Sequence, residues 1–356
     1  MTLIASFKWR QMYFAFGDAL ITTSKRINED TPIPTQNLPN ETEQMDGIGI
    51  WVAGLTRKIF TIGPYLVFGW SGPMANFKNA LRYLYASALD KPVSVADLQA
   101  ICKRAGLPRD QASAWFIDAF TRDRGLVEIS HNLQKIAQEK DGAILVGGSG
   151  AKSFRERLDI DTAPEINGVS LFERTLVAQA RYLLEQHRQG HHLDQGFGGA
   201  FEFITCESGY FASFDRLLIV FRDYWDAEAE SDAIKNAENV SRVGDTCSKI
   251  DAAYYMTHVD DQLIVCRWFP GSYKIFAVPR PFSDDGRALA GASRFGVDHV
   301  IEVLSHHSGK SSTVLQPRPD EYNFEVLANG ARLTLPMSLT VDLENALRKH
   351  LAEKTR

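Results

Sequence analysis

The chain has 356 residues, of which 44% are hydrophobic, 23% charged and 11% aromatic, and its formal net charge is −5. The apolar fraction excludes a disordered chain, and the length is sufficient for two domains with a core each. The slight acidic excess and the lack of a basic run disfavour nucleic acid as a partner. The four cysteines Cys102, Cys206, Cys247 and Cys266 are dispersed, which argues against a disulfide framework and a structural zinc site.

The sequence shows no targeting or membrane-spanning segment. MTLIASFKWRQ at the start lacks the basic region, apolar core and cleavage site of a signal peptide. The sequence contains no stretch of 18 apolar residues, which is about the length that a helix needs to cross a bilayer. With the dispersed cysteines, these features predict a soluble protein of a reducing, cytoplasmic compartment that does not act at a membrane.

Strand-like segments dominate the first 72 residues. Residues 12–24, 48–54 and 58–72 are rich in aromatic and β-branched residues, which favours strands, and Gly63-Pro64 predicts a turn within the last of them. Residues 25–48 are polar and contain three prolines, so they predict a long loop.

Two helices are predicted next in the chain. From Met74 the apolar residues recur with helical period, and a second helix is expected between the N-cap Ser94 and a closing Gly106. Strands return afterwards, at 112–120, 125–130, 143–150 and 193–221, with a further helix at about 171–189. Strands and helices thus come in groups, which favours antiparallel sheets layered with helices.

The composition changes near residue 225. Residues 225–248 are acidic and rich in small residues, and they predict a linker helix. Residues 249–356 hold several short strand-like segments and an Asn329-Gly330 hairpin signal. We therefore expect a first domain over 1–224, the linker, and a smaller β-rich domain over 249–356 whose role the sequence does not indicate.

Six dispersed residues carry the strongest functional signal because of their order. Each alone has an ordinary explanation, as a turn residue or a solvated charge. In chain order they are Thr2 after Met1, Asp18 in FAFGD, Lys58 in RKIFTI, Gly72 in GWSGP, Ser149 in VGGSGA and Asp194 in LDQGFGG.

This ordered set resembles the proteasome β-subunit and HslV family of N-terminal-nucleophile threonine proteases, over residues 2–222. The resemblance implies a four-layer αββα sandwich of antiparallel sheets. It also implies that Thr2 is the nucleophile, that Gly72 lies at the oxyanion site, and that Asp18, Lys58, Ser149 and Asp194 complete the catalytic set. Phe197 stands where the family commonly has Ser or Thr. No metal or organic cofactor is implied.

The chemistry expected of these residues follows from elementary acid–base behaviour. Removal of Met1 would give Thr2 a hydroxyl and an α-amine with a pKa of about 7.7–8.0, so the amine could accept the hydroxyl proton near neutral pH. The Lys58 ammonium would lower the pKa of the Thr2 hydroxyl and of the Thr2 α-amine, and Asp18 would hold the Lys58 side chain in place. We expect Lys58→Ala to remove activity at nearly unchanged stability, as for a partly exposed ion pair.

Specificity and partners are expected from the same resemblance. Trp70 lies two residues before Gly72, and it is either a residue that fills the primary specificity pocket or a packed core residue. The implied substrate is a polypeptide or another amide. A homo-oligomer is expected, and an ATPase that unfolds substrates is a further candidate partner.

Two alternatives to a threonine peptidase remain open at this stage. The first is an amidase of small molecules on the same fold, which a filled pocket at Trp70 would favour. The second is a catalytically inactive scaffold or interaction subunit, because folds are often retained after their chemistry is lost.

Overall fold

The computed structural model describes the greater part of the chain, in sixteen ranges. They are residues 2–9, 12–25, 33–35, 51–87, 90–138, 142–158, 171–189, 196–226, 240–243, 246–259, 262–269, 272–282, 293–306, 312–315, 322–327 and 330–334. Within these ranges the chain forms 22 strands and four helices. The structure divides into two compact units, one made of Met1–Phe214, His258–Leu263 and Ala277–Arg287, the other of Asp215–Thr257, Ile264–Phe276 and Ala288–Arg356.

The first unit contains three sheets built from the first twelve strands. A six-stranded sheet has the order β12-β11-β2-β1-β10-β9, a four-stranded sheet the order β5-β6-β7-β8, and β3 pairs with β4. The strands are β1 Ile4–Trp9, β2 Met12–Asp18, β3 Leu20–Thr23, β4 Trp51–Leu55, β5 Ile59–Thr61, β6 Leu66–Ser71, β7 Ala114–Thr121, β8 Gly125–His131, β9 Gln134–Gln138, β10 Gly142–Gly147, β11 Phe201–Glu207 and β12 Tyr210–Ser213. Every described pairing among them is antiparallel.

The two larger sheets of this unit share an apolar core. The six-stranded sheet contributes Ile4, Tyr13, Ala15, Ile204 and Phe211, and the four-stranded sheet contributes Ile59, Val67 and Phe116. The inward side chains of β1 therefore hold that strand between β2 and β10 and against the other sheet, which fixes the position of the chain's second residue.

Four helices belong to the first unit: α1 Met74–Ala86, α2 Val95–Ala105, α3 Ala151–Leu158 and α4 Leu171–Gln189. The predicted caps of α2 are confirmed, because the Ser94 side chain accepts a hydrogen bond from Asp97 N and Gly106 adopts the left-handed conformation with φ 63°. Phe154 of α3 packs against the rings of Phe7 and Phe16. Helix α3 thereby secures the turn that precedes it.

The described part of the second unit consists of strands and their connections. A seven-stranded sheet has the order β17-β16-β15-β13-β19-β20 with β14 paired to β15, and a three-stranded sheet has the order β18-β21-β22. The strands are β13 Leu217–Asp226, β14 Val240–Val243, β15 Thr246–Val259, β16 Gln262–Phe269, β17 Ser272–Val278, β18 Ser293–Phe295, β19 His299–His306, β20 Ser312–Leu315, β21 Asn323–Leu327 and β22 Gly330–Thr334. The pair β13–β19 is parallel.

The expected αββα sandwich is wrong for this chain. The described residues lie mostly in strands, the helices are few, and the strands form several antiparallel sheets without a clear four-layer order. Aromatic and β-branched residues recur through both units and favour strands. Turn motifs such as VGGSGA specify local geometry, which is compatible with more than one order of layers.

The unit boundaries also differ from the predicted domains. The first continuous segment of the first unit ends at Phe214 rather than at 224. The reason is that β13 pairs along its whole length with β15, and β13 therefore belongs to the second unit. Residues 225–226, 240–243 and 246–248 of the predicted linker helix lie in strands, while 227–239 and 244–245 fall outside the described residues. The predicted β character of the C-terminal part is seen in strands β15 to β22.

Candidate active site

Thr2 lies two residues before the start of β1, and three hydrogen bonds hold the backbone around it. The backbone nitrogen of Thr2 donates to Ser149 Oγ over 3.1 Å. The amide of Gly150 donates to the carbonyl oxygen of Thr2 over 3.2 Å, and the amide of Asp18 donates to that of Leu3 over 3.0 Å. The start of β1 is thus fixed between the end of β2 and the turn that joins β10 to α3.

Gly148 permits the close approach of that turn to Thr2. Its φ is 93°, which a residue with a side chain rarely adopts. A Cβ atom built on Gly148 would overlap the carbonyl group of Thr2 and approach Ser71 Oγ to 3.1 Å. The Gly-Ser-Gly motif therefore supplies one glycine for contact with the Thr2 backbone and one hydroxyl for its nitrogen.

A buried ion pair contacts the backbone of Leu3, the residue that follows Thr2. Lys58 Nζ donates to Asp18 Oδ1 over 2.9 Å, and the exposed fractions of the two side chains are 1% and 0%. The same Asp18 oxygen accepts the Leu3 amide over 2.9 Å, and the Lys58 ammonium also donates to the carbonyl oxygen of Leu20. The carboxylate thereby joins the lysine to the strand that begins beside Thr2.

Burial dominates the acid–base behaviour of Lys58. Loss of hydration lowers the pKa of this ammonium, and the charge and hydrogen bond of Asp18 offset that effect only in part. A buried amine with a lowered pKa is suited to proton transfer or to electrostatic support of a neighbouring reactive group.

The second carboxylate oxygen of Asp18 binds the segment that contains Gly198. Asp18 Oδ2 accepts the amide of Gly198 over 2.8 Å. Gln186 of α4 donates to the carbonyl oxygen of Phe197 over 2.9 Å and accepts from the Gly199 amide over 3.1 Å. The sequence analysis did not single out Gln186, since a lone glutamine on a helix gives no distinctive signal.

Gly72 lies at the turn between β6 and α1 and faces the wall formed by residues 112 and 113. Its φ is 122°, and a Cβ atom there would approach the carbonyl oxygen of Ala112 to 2.5 Å. Glycine is therefore required for the approach of these two backbone segments. A backbone amide at such a turn can donate a hydrogen bond to an oxygen of a ligand if it makes no hydrogen bond within the protein.

A cavity of about 710 Å³ opens beside Thr2. Thr2, Gly72 and Ser149 all line it, so three of the residues selected from the sequence meet at one space. Thr2 itself is only 2% exposed, and its access to solvent is through this cavity. The remaining lining residues are Ile21, Thr22, Thr23, Ser24, Ser71, Pro73, Met74, Gln111, Ala112, Ala114, Asn132, Leu133, Gln134, Val146, Gly147, Gly148 and Ala151.

One wall of the cavity is held by an asparagine in an unusual conformation. Asn132 has φ 54° and donates its side-chain amide to the carbonyl oxygens of Gln111 over 2.9 Å and Ser113 over 3.2 Å. The carboxylate of Asp110 accepts the Ala112 amide over 2.9 Å. The segment that faces Gly72 is therefore held in place by hydrogen bonds within the protein.

Trp70, which was selected from the sequence, does not lie at this site. Trp70 is fully buried, packs against Phe77 with ring centroids 5.2 Å apart, and donates to the carbonyl oxygen of Arg57 over 3.3 Å. It does not line the cavity, and it is a core residue. Asp194 lies outside the described residues.

The described residues show neither a cluster of metal ligands nor a helix that could span a membrane. Within the described ranges, no group of three or more His, Cys, Asp and Glu side chains has the arrangement of a metal site. Among the described helices, none combines the length and the apolar character that crossing a bilayer requires.

No protein-family model matches the chain, and no curated protein matches it.

Proposed function

We propose that the protein is an N-terminal threonine hydrolase of amide bonds, in which removal of Met1 makes Thr2 the nucleophile. The observation that carries the proposal is the 3.1 Å hydrogen bond between the Thr2 nitrogen and Ser149 Oγ, at the edge of a cavity. Once Met1 is removed, that nitrogen becomes an α-amine that Ser149 can orient. The hydroxyl and the base then belong to one residue.

The first half of the reaction forms an ester on Thr2. The hydroxyl oxygen attacks the carbonyl carbon of the substrate, and the α-amine accepts the hydroxyl proton, directly or through a water molecule. The negative charge that develops on the substrate oxygen is stabilised by a backbone amide at Gly72. The C–N bond then breaks, and the leaving amine takes up the proton.

The second half regenerates the enzyme. A water molecule attacks the ester carbonyl, its proton passes to the α-amine, and the C–O bond to Thr2 breaks as the Thr2 oxygen regains a proton. The Lys58 ammonium acts throughout as a buried positive charge that favours the neutral amine and the reacting oxygen. Asp18 fixes the position of Lys58 and of the strand that carries Thr2.

A second candidate is the hydrolysis of a small amide by the same residues. The cavity volume of about 710 Å³ is within the range of sites that enclose small molecules, about 300–1,000 Å³. The two candidates differ in the length of the substrate and share the same chemistry. Peptides of two to ten residues with a common cleavage site separate them, because only a peptidase gains rate from the longer substrates.

The test of the shared chemistry compares Thr2→Ala with Thr2→Ser. Both changes keep a small residue after Met1, but only serine retains a hydroxyl. We expect Thr2→Ala to lose amide hydrolysis while its thermal unfolding stays close to that of the wild type, and Thr2→Ser to retain measurable turnover. Equal turnover by Thr2→Ala and the wild type would overturn the proposal.

A further inference from the structure

The side chains around the cavity share one property. Its described lining contains hydroxyl, amide, apolar and glycine residues, and within that described set there is no Asp, Glu, Lys, Arg or His. Three of its lining residues carry amide side chains, namely Gln111, Asn132 and Gln134. We propose, on the basis of the proposed function, that this cavity selects substrates whose side chain on the acyl side of the cleaved bond is uncharged.

The position of Thr2 decides which part of a substrate enters the cavity. Thr2 lies in the cavity wall, and an attacking hydroxyl must come within about 3–3.5 Å of the carbonyl carbon. The residue that supplies this carbonyl is therefore placed next to the lining of the cavity. A volume of about 710 Å³ accommodates any single amino-acid side chain, so size alone does not set the preference.

Charge sets the preference because the described lining offers no opposite charge. An ionised side chain that leaves water for such a site loses its hydration, and a hydroxyl or an amide compensates only in part. A neutral amide or apolar side chain loses much less. The amides of Gln111 and Gln134 can also donate and accept hydrogen bonds to a neutral polar side chain.

Three charged residues beside the site, Lys58, Asp18 and Asp110, do not line the cavity. Lys58 and Asp18, which the proposed function places behind Thr2, are paired with each other over 2.9 Å, so a substrate side chain in the cavity meets neither charge directly. Asp110 does not line the cavity, and its carboxylate accepts hydrogen bonds from the amide of Ala112 and the side chains of Asn76 and Ser113.

Matched fluorogenic peptide amides test this proposal on the full chain. Two pairs differ only in the residue before the cleaved bond, Gln against Glu in one pair and Leu against Lys in the other. We expect kcat/KM to be at least about tenfold higher for the neutral member of each pair, since one order of magnitude is a modest cost for an unpaired charge. Values within twofold of each other in both pairs would overturn the proposal.

A designed charge in the lining gives the converse test. Gln134→Glu and Gln111→Glu each place a carboxylate at the cavity without a change in side-chain size. We expect either variant to raise kcat/KM for the Lys peptide relative to the Leu peptide by about tenfold. Gln99→Glu is the control, because Gln99 is an exposed residue of α2 outside the lining. An equal effect of all three substitutions would contradict selection by the cavity.

Binding to the Thr2→Ala variant separates this inference from the proposed function. Calorimetry with the same four peptides measures the preference without turnover. Tighter binding of the neutral peptides, with no hydrolysis by the wild type, would refute the hydrolase and support the inferred ligand class. If the wild type hydrolyses the peptides but the Thr2→Ala variant binds all four with equal affinity, the inferred ligand class is refuted and the proposed hydrolase is not.

Discussion

Lys58 Nζ and Asp18 Oδ1 are 2.9 Å apart, and both side chains are almost completely removed from solvent. This burial contradicts the premise of one expectation from the sequence, namely that Lys58→Ala would leave stability nearly unchanged. That expectation assumed a partly exposed pair. Loss of one partner of a buried pair leaves an unpaired charge in the interior, which is far more costly than loss of a surface contact.

We therefore expect Lys58→Met to lower the free energy of unfolding by about 3–5 kcal/mol and to abolish amide hydrolysis. Methionine keeps much of the side-chain volume, so the loss reports on charge rather than on an empty space. Urea unfolding and a turnover assay measure the two effects. Lys152→Met is the control, since Lys152 and Glu156 form an exposed pair at 3.9 Å, and its change should stay below about 0.5 kcal/mol. Similar losses in both variants would contradict the buried role of Lys58.

Ser149→Ala should separate chemistry from folding. The substitution removes the hydroxyl that accepts from the Thr2 nitrogen, and Ser149 is itself exposed. We expect kcat to fall by about 10²-fold, because the α-amine loses its orientation as a base. The expected fall in the free energy of unfolding is about 1 kcal/mol. Unchanged kcat would show that Ser149 does not serve the base.

Gly148→Ala should lower the stability of the protein much more than Gly125→Ala, although both glycines have a positive φ. At Gly148 an added methyl group overlaps the Thr2 carbonyl, whereas at Gly125, with φ 69°, it meets no atom within 4 Å. Both alanines carry a backbone cost of about 1 kcal/mol, so the difference measures the overlap. We expect Gly148→Ala to unfold at a clearly lower temperature than Gly125→Ala and to lose turnover. Equal melting temperatures would mean that the turn does not need its contact with Thr2.

The stability of the first unit should depend on pH through Glu202. Burial alone would raise the pKa of this carboxyl, but Arg57 Nε at 3.0 Å and His258 Nε2 at 2.9 Å hold it below its usual value. The folded protein therefore binds this proton less tightly than the unfolded chain. Stability from Glu202 is complete above the unfolded pKa of about 4.3 and is lost as the pH falls through the lower folded value.

Urea unfolding between pH 3 and pH 6 tests this dependence. The wild type should lose stability as the pH falls below about 4.3, and Glu202→Gln should show a smaller loss over the same interval. The variant should also be less stable at pH 6, by about 3–5 kcal/mol, because Arg57 is left buried without its carboxylate. Parallel pH profiles of the two proteins would assign the acid sensitivity to other groups.

Local features were predictable from the sequence where one residue type has one physical use. Ser94 and Gly106 bound α2 as expected, and the Gly63-Pro64 turn joins two paired strands. The layer order was not predictable, because motifs describe turns and the packing of sheets depends on many distant apolar residues. The boundary near 214 was missed for a similar reason, since the pairing of β13 with β15 involves residues far apart in the sequence.

The candidate site was predictable to the extent that short motifs carry it. Thr2, Gly72 and Ser149 line one cavity, and Asp18 joins Lys58 to the strand beside Thr2. Trp70 could not be assigned from spacing, because every residue of β6 is buried and its sequence does not distinguish a core residue from one that lines a pocket. Gln186, Asn132 and Gly148 contribute through contacts with backbone atoms, for which the sequence offers no partner.

The most direct measurement is mass spectrometry after reaction with a β-lactone that carries an uncharged side chain. Opening of the lactone ring by a hydroxyl leaves an acyl ester on the nucleophile without release of a leaving group. We expect the N-terminal peptide to begin at Thr2 and to carry the added mass, and we expect Thr2→Ala to show no adduct. A peptide that retains Met1, or an adduct that persists in Thr2→Ala, would contradict the proposed role of Thr2.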